Sequence, residues 1–226
     1  MKKVLFIAIC LLIAGDVSAQ YYRRKPVRRP PPGYYHNNNQ RRHNDFYQVT
    51  AGFKGGLNIA NTVDAYNSDW TTNTIAGANL GFTLDVPIIY PLSFAPEVLW
   101  SQKGFSAQTI DGDFKQRNNF IDVPLLAKIK LTPGFNFVIG PQLSFLLSSK
   151  NIYRNDFATV VEERYDYEGN KTLVGGVIGL SIDLNRTVDL HARYTIDLQD
   201  SNTERYSNIP DYRNQIWQIG LGFKFR

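Results

Sequence analysis

The chain is poor in the residues that usually announce chemistry: among 226 residues it has one cysteine, three histidines and one methionine. It also lacks any uninterrupted apolar run of the about 18 residues a membrane-crossing helix requires. The cysteine, Cys10, lies in "MKKVLFIAICLLIAGDVSAQ". That stretch reads as a secretory signal over residues 1–19, with Lys2 and Lys3 as the basic start, Val4 to Ala14 as the apolar middle and Val17-Ser18-Ala19 as the cleavage site. The mature chain then has no cysteine, which excludes disulfides, Cys-ligated metals and thiol catalysis. His191 is the single histidine beyond residue 46, so a His-rich metal centre is excluded there too. The missing helical span does not exclude a membrane. A strand barrel crosses one with half its residues polar.

Residues 20–46, "QYYRRKPVRRPPPGYYHNNNQRRHNDF", are nearly free of aliphatic side chains, so they cannot form a core. This tail carries Arg23, Arg24, Lys25, Arg28, Arg29, Arg41 and Arg42 against Asp45 alone. From residue 47 onward 16 basic residues face 18 acidic ones, so the net charge of +5 belongs to the tail and signal. A nucleic-acid partner is therefore not indicated, and an exported address argues against one. The tail fits either an anionic periplasmic polymer or envelope protein as partner, with its interleaved tyrosines, or a spacer held extended by Pro30 to Pro32.

From Tyr47 to the end, apolar and polar residues alternate with period two. Eight strands are expected, at about 47–59, 74–86, 92–103, 118–131, 135–148, 171–184, 188–198 and 214–225. Each is long enough to cross a membrane when tilted. The connections "PIIYP", "TPG" and "NRT" are short and rich in turn residues, whereas those around 60–73, 104–117, 149–170 and 199–213 are long and polar. That alternation predicts an all-β fold: an eight-stranded antiparallel up-and-down transmembrane β-barrel over residues 47–226, with both chain ends at the short-turn rim.

Alternation alone leaves open which face points inward, because a soluble ligand carrier has its apolar face inside. Three features favour a polar lumen. One face collects Lys54, Asp85, Glu97, Lys103, Asp122, Lys128, Lys130, Asp183, Asp189, His191, Arg193, Asp197 and Lys224, whose carboxylates and fixed cations balance, as a narrow interior needs. Bulky aromatics such as Trp100, Tyr194, Trp217, Phe223 and Phe225 share the other face, which suits interface girdles. Glycines (Gly52, Gly56, Gly81, Gly140, Gly175, Gly179, Gly220, Gly222) lie on the charged face and leave room for long side chains.

"FKGGLNIA" (53–60), "PEVLWSQKG" (96–104), "FIDVPLLAKIKL" (120–131), "GPQLSFLLS" (140–148), "RYTIDLQD" (193–200) and the closing "IGLGFKF" resemble, in this order, the outer-membrane β-barrel or porin family of Bacteroidota. The resemblance implies an eight-stranded barrel in the cell outer membrane, in contact with its lipid. It also implies kinship with PorT-like accessories of secretion, and much less about the task performed.

The grouping Asp189, His191, Arg193 and Asp197 has the composition of an acid–base relay. Four odd-numbered positions on one strand are more simply a lumen column wired to Lys54, Glu97, Asp122 and Lys128 across the barrel, and no nucleophile signature accompanies them. "LVGGVIGL" (173–180) looks like a phosphate loop but sits in a strand pattern with no lysine in place. "VEERYDYEGN" (161–170) reads as a solvated loop. No catalytic, cofactor or metal residues are assigned. The reading is a non-enzymatic outer-membrane barrel with a structural, adhesive or secretion-accessory role; the alternatives are a narrow pore and an outer-membrane hydrolase or lipid-modifying enzyme.

Overall fold

The computed structural model describes residues 48–64, 72–109, 112–154, 159–164, 172–199 and 212–225. The signal at 1–19 and the basic tail at 20–46 lie outside the described residues. Ten strands follow in order: β1 (Thr50–Asp64), β2 (Thr72–Asn73), β3 (Ile75–Ile89), β4 (Leu92–Thr109), β5 (Gly112–Thr132), β6 (Phe135–Arg154), β7 (Thr159–Arg164), β8 (Thr172–Asp183), β9 (Val188–Asp197) and β10 (Tyr212–Phe225). Eight of them, all but the short β2 and β7, form a ring in which each long strand pairs antiparallel with its sequence neighbour. β10 returns to β1 over the register Ala51↔Phe225 to Asp64↔Tyr212, which closes the cylinder. A closed ring leaves no unpaired edge within the bilayer, the condition a spanning sheet must meet.

The pleat sorts the side chains. Glu97, Lys103, Asp122 and Arg193 are almost wholly buried, whereas Leu57 is 65%, Phe82 72% and Trp217 57% exposed. The charged face is the interior and the apolar face the exterior. A barrel built to carry a greasy ligand would show the reverse. Along β5 the outward residues Ile121, Val123, Leu125, Ala127, Ile129 and Leu131 form an unbroken apolar row. At about 3.3 Å per residue and the usual tilt this row rises about 25 Å, the height of the lipid-facing band of such barrels.

Aromatic rings mark both borders of the band. Phe53 stacks on Phe223 at 4.9 Å and lies 5.7 Å from Phe225 near the short-turn rim. Further along, Tyr194 and Trp217 lie 5.0 Å apart, and the Tyr194 hydroxyl donates to Gln215 Oε1 at 3.1 Å.

The connections differ from expectation in one respect. Residues 104–117 form no long loop: β4 runs to Thr109 and β5 starts at Gly112, paired residue for residue from Lys103↔Asn118 to Thr109↔Gly112. Likewise β6 continues to Arg154 and pairs with β7. Beyond the lipid band outward positions such as Ser106, Lys115 and Arg117 are polar while inward Phe105, Ala107 and Phe114 are apolar, so the membrane-type alternation is lost from the sequence while the ladder continues. A bulge between Asn119 and Phe120 on the β5–β6 ladder pairs Asn119 with Ser148 but Phe120 with Leu146. The extra residue exchanges the faces of β6 beyond it, turning Ser149 inward and Lys150 outward.

Candidate functional site: the filled lumen

The inward positions fall into two halves. In the turn-side half, Glu97 on β4 receives Lys54 Nζ from β1 and Arg193 Nη1 from β9, each at 2.6 Å. Lys128 of β5 meets Asp85 of β3 at 2.6 Å. Lys224 of β10 contacts Asp183 of β8 and lies 3.5 Å from Asp189 of β9. Asn136 donates to Ser181 Oγ at 3.3 Å and to Asp183 Oδ2 at 3.4 Å. These bonds tie strands from all sides of the cylinder. Such pairs persist in a desolvated interior because each carboxylate has a cation within direct contact.

The loop-side half is built differently. Lys103 is fully buried, donates to Asp122 Oδ1 at 2.8 Å and Ser144 Oγ at 3.0 Å, and stands 4.6 Å above the Phe120 ring. Asp197 accepts an amide hydrogen bond from Asn214 at 2.7 Å, and it has no ion-pair partner among the described residues. Asn79 donates to Asn58 at 2.6 Å, and Asn58 to Ser101 at 3.0 Å.

Between and above these groups lie apolar inward residues. Ala95, Leu126, Val138 and Val177 pack together from four consecutive ring strands. Ala60, Ile75 and Ile216 form a second cluster, and Phe105, Ala107 and Phe114 a third, with the two rings 5.8 Å apart. Leu99 is fully buried among them in chain order. Eight-stranded cylinders are just narrow enough to be filled by their own side chains. A small cavity of about 30 Å³ remains at the turn-side rim, bordered by Lys54, Asp85, Glu97, Lys128 and Lys224. That is room enough for water.

The sequence-derived site residues therefore land as follows. Lys54, Glu97 and Arg193 form one cluster, and Lys224, Asp183 and Asp189 another. Asp122 and Lys128, expected to wire to β9, pair instead with Lys103 and Asp85. The cross-barrel stagger decides these partners, and it is set by pairing register, not by position along one strand. Lys130 is half-buried beside the turn-side rim and has no ion pair among the described residues. The tail cations Arg23, Arg24, Lys25, Arg28, Arg29, Arg41 and Arg42 lie outside the described residues.

His191 Nδ1 is 3.8 Å from Asp189 Oδ1, and neither ring nitrogen has a hydrogen-bond partner. Ser181 occupies the register position directly across from His191 on β8, a hydroxyl the sequence reading did not single out. Yet His191 Nε2 leans to the opposite flank, 2.9 Å from where a Cβ on Gly220 of β10 would stand. Serine and base thus point apart, and both are nearly inaccessible. A working Ser–His pair needs them within hydrogen-bond reach of each other and of a substrate. "LVGGVIGL" lies wholly within β8, so its glycines line a strand and cradle no phosphate.

The glycines flanking β9 make its charged column possible. A Cβ on Gly179 would stand 2.5 Å from Arg193 Cβ, and one on Gly222 would stand 2.6 Å from Asp189 Oδ2. Together with Gly220 beside His191, each inward charged or imidazole residue of β9 up to Arg193 has a glycine next to it.

The outer membrane protein beta-barrel domain family matches residues 38–202. No curated sequence matches the chain. Among solved structures, the attachment invasion locus protein Ail of Yersinia pestis is 13% identical with a TM-score of 0.46, covering 79% of this chain and 99% of its own. Neisserial surface protein A is 15% identical with a TM-score of 0.42, covering 78% and 97%. The outer membrane protein OprG of Pseudomonas aeruginosa is 12% identical with a TM-score of 0.37, covering 79% and 94%. With a closed eight-strand ring, a lipid-facing apolar belt and a family match over most of its length, the chain belongs to the outer membrane protein beta-barrel domain family and resides in the cell outer membrane.

Proposed function

We propose that this protein is a non-conducting, non-enzymatic barrel with a structural, adhesive or secretion-accessory role exercised through its long-loop rim and its basic tail. The observation that carries the proposal is the obstruction of the lumen. The Lys54–Glu97–Arg193 cluster, the Lys103–Asp122 pair and the Ala95–Leu126–Val138–Val177 contact lie one above another across a cylinder of eight strands. Moving a solute through would require breaking desolvated ion pairs, each strongly unfavourable to leave half-made.

Recording from the purified protein in planar bilayers tests this directly. Silence at moderate voltage is the expected result, and reproducible solute-conducting steps would establish the narrow pore instead. The hydrolase alternative predicts an esterase or deacylase activity that disappears in His191→Gln. The orientation of His191 away from Ser181 supports the non-enzymatic reading.

The finer kinship, to Bacteroidota barrels that include PorT-like secretion accessories, rests on the six motifs shared in order. Within that reading the tail binds an anionic polymer or envelope protein on the periplasmic side. Deleting residues 21–43 should reduce envelope cross-links to that partner, and an unchanged cross-link pattern would reduce the tail to a spacer.

A further inference from the structure

Asp122 and Asp197 are both fully buried in the loop-side half of the lumen, and among the described inward residues there the cation beside them is Lys103. Lys103 Nζ spends its contacts on Asp122 Oδ1 at 2.8 Å and Ser144 Oγ at 3.0 Å. Asp122 Oδ2 is left without a hydrogen-bond partner. Asp197 Oδ2 takes the Asn214 amide at 2.7 Å, and Asp197 Oδ1 meets no partner at all. Thr195, the next inward residue of β9 toward the turns, is also fully buried with its hydroxyl unmatched. Such orphaned oxygens are costly in a desolvated interior, and a carboxylate oxygen most of all.

The free oxygen of Asp197 has a direction. Gly175 faces Asp197 across the β8–β9 ladder and faces Gln142 across the β6–β8 ladder. A Cβ on Gly175 would stand 3.2 Å from Asp197 Oδ1, so that oxygen leans over the glycine, on the side toward β6. Asn214 holds the other oxygen on the β10 side and thereby fixes this orientation. Ser144, the next inward position of β6 on the loop side, is paired in register with Asp122 of β5. The two carboxylates therefore flank the hollow that the missing side chain of Gly175 leaves. Asp122 and Lys103 are both near enough to act electrostatically on Asp197. From β6, Gln142 sends its amide nitrogen to Ser144 Oγ at 3.1 Å and not to Asp197.

We propose that Asp197 and Asp122 form a binding site for a small monovalent cation of sodium's class, held over Gly175 between β9 and the β5–β6 pair, with Asn214 as a positioning residue. The free atoms are carboxylate and hydroxyl oxygens, which suit a hard cation whose shell water completes. No group of three or more His, Cys, Asp or Glu side chains is gathered among the described residues, so the site does not suit a transition metal. Charge selects the valence. Two carboxylates against Lys103 leave one negative charge, which a monovalent ion neutralises, whereas a divalent ion would leave a buried positive charge. This inference concerns what the lumen holds and does not depend on the role of the rim or the tail.

The test uses the full mature chain in vesicles of neutral phosphatidylcholine and follows urea unfolding by tryptophan fluorescence. Sodium chloride is compared with N-methylglucamine chloride at equal ionic strength. In the wild-type chain the folded-to-unfolded ratio should rise about tenfold once sodium exceeds its dissociation constant about tenfold. N-methylglucamine, too bulky for the hollow, should give no such rise. Asp197→Asn should equal or exceed the wild type without sodium and gain nothing from it, while Arg186→Gln at the opposite rim should keep the full gain. Equal stability of the wild-type chain in the two chlorides would overturn the site, as would an undiminished sodium gain in Asp197→Asn. The same gain from calcium at a tenth of the concentration would overturn the monovalent assignment. A wild-type stability that rises as pH falls and ignores sodium would overturn the site in favour of a proton on Asp197. If Asp197→Asn gives no heat-dependent gel shift, Asn214→Ala takes its place: it releases the carboxylate and should lose most of the sodium gain.

Discussion

In the turn-side half of the lumen each carboxylate meets a cation, whereas in the loop-side half Asp197 has only the Asn214 amide and shares its surroundings with the Lys103–Asp122 pair. Oxygens of Asn79, Asp122, Asp197, Asn214 and Gln218 on that side find no protein donor. The turn-side half is a clasp in which every carboxylate is held by a cation. Among the described residues the loop-side half is rich in acceptors and has two inward carboxylates, Asp122 and Asp197, against the one cation Lys103. The difference teaches that burial alone does not fix what a lumen charge contributes: its partners decide, and similar substitutions should have opposite consequences in the two halves.

The largest effect is expected at the hub of the clasp. Glu97→Gln leaves both Lys54 and Arg193 without their carboxylate and should destabilise the barrel by about 3–5 kcal/mol. Urea unfolding in lipid vesicles, followed by tryptophan fluorescence and the heat-dependent gel shift, measures it. A loss below about 1 kcal/mol, a surface-pair value, would mean the clasp is not desolvated.

Turning from inner to outer face, Leu57→Arg places a cation on the lipid side midway along β1 and should cost about 2–4 kcal/mol in the same assay. On a face that met water the exposed Leu57 would accept arginine at almost no cost, so this variant tests whether the outer face meets lipid. Gly81→Ala follows. A Cβ there would stand 2.0 Å from Val98 O, whereas one on Gly176 would meet nothing within 4 Å. The first substitution should lose about 1–3 kcal/mol and Gly176→Ala should be neutral in the same refolding series.

The smallest effect, and the sharpest contrast with Glu97→Gln, is Asp197→Asn. Lys103 keeps Asp122, and the surplus charge disappears, so stability should change by less than about 1 kcal/mol or rise slightly. A loss as large as that of Glu97→Gln would show that the two halves are equally balanced.

Much of this architecture was legible from period-two alternation. Strands such as "VDLHARYTID" announce their faces residue by residue because lipid and lumen demand opposite chemistry. Legibility ended where that contrast ended. Phe105, Ala107 and Phe114 point inward at the loop side, and polar residues face outward beside them, so residues 104–117 read as loop although they pair as a hairpin. The inward Leu126, Val138 and Val177 were hidden for a related reason: an apolar residue on the polar face looks like noise until four strands bring such residues together. Ion partners were illegible as well. Arg193 is 96 residues from Glu97 in the chain, and only the closure of β10 on β1 brings that column across the cylinder.

The glycines beside β9 have a consequence for how such a barrel changes over time. Arg193, His191 and Asp189 occupy the hollows left by Gly179, Gly220 and Gly222. At Gly222 a new methyl group would meet only the Asp189 carboxyl, so a descendant that acquires it must shrink Asp189 as well, whereas at Gly179 and Gly220 backbone atoms bar the methyl whatever the neighbour on β9. Asp189 and Gly222 are thus inherited as a pair across adjacent strands, and in related chains the two should be replaced in concert even though no bond joins them, while Gly179 and Gly220 should stay glycine.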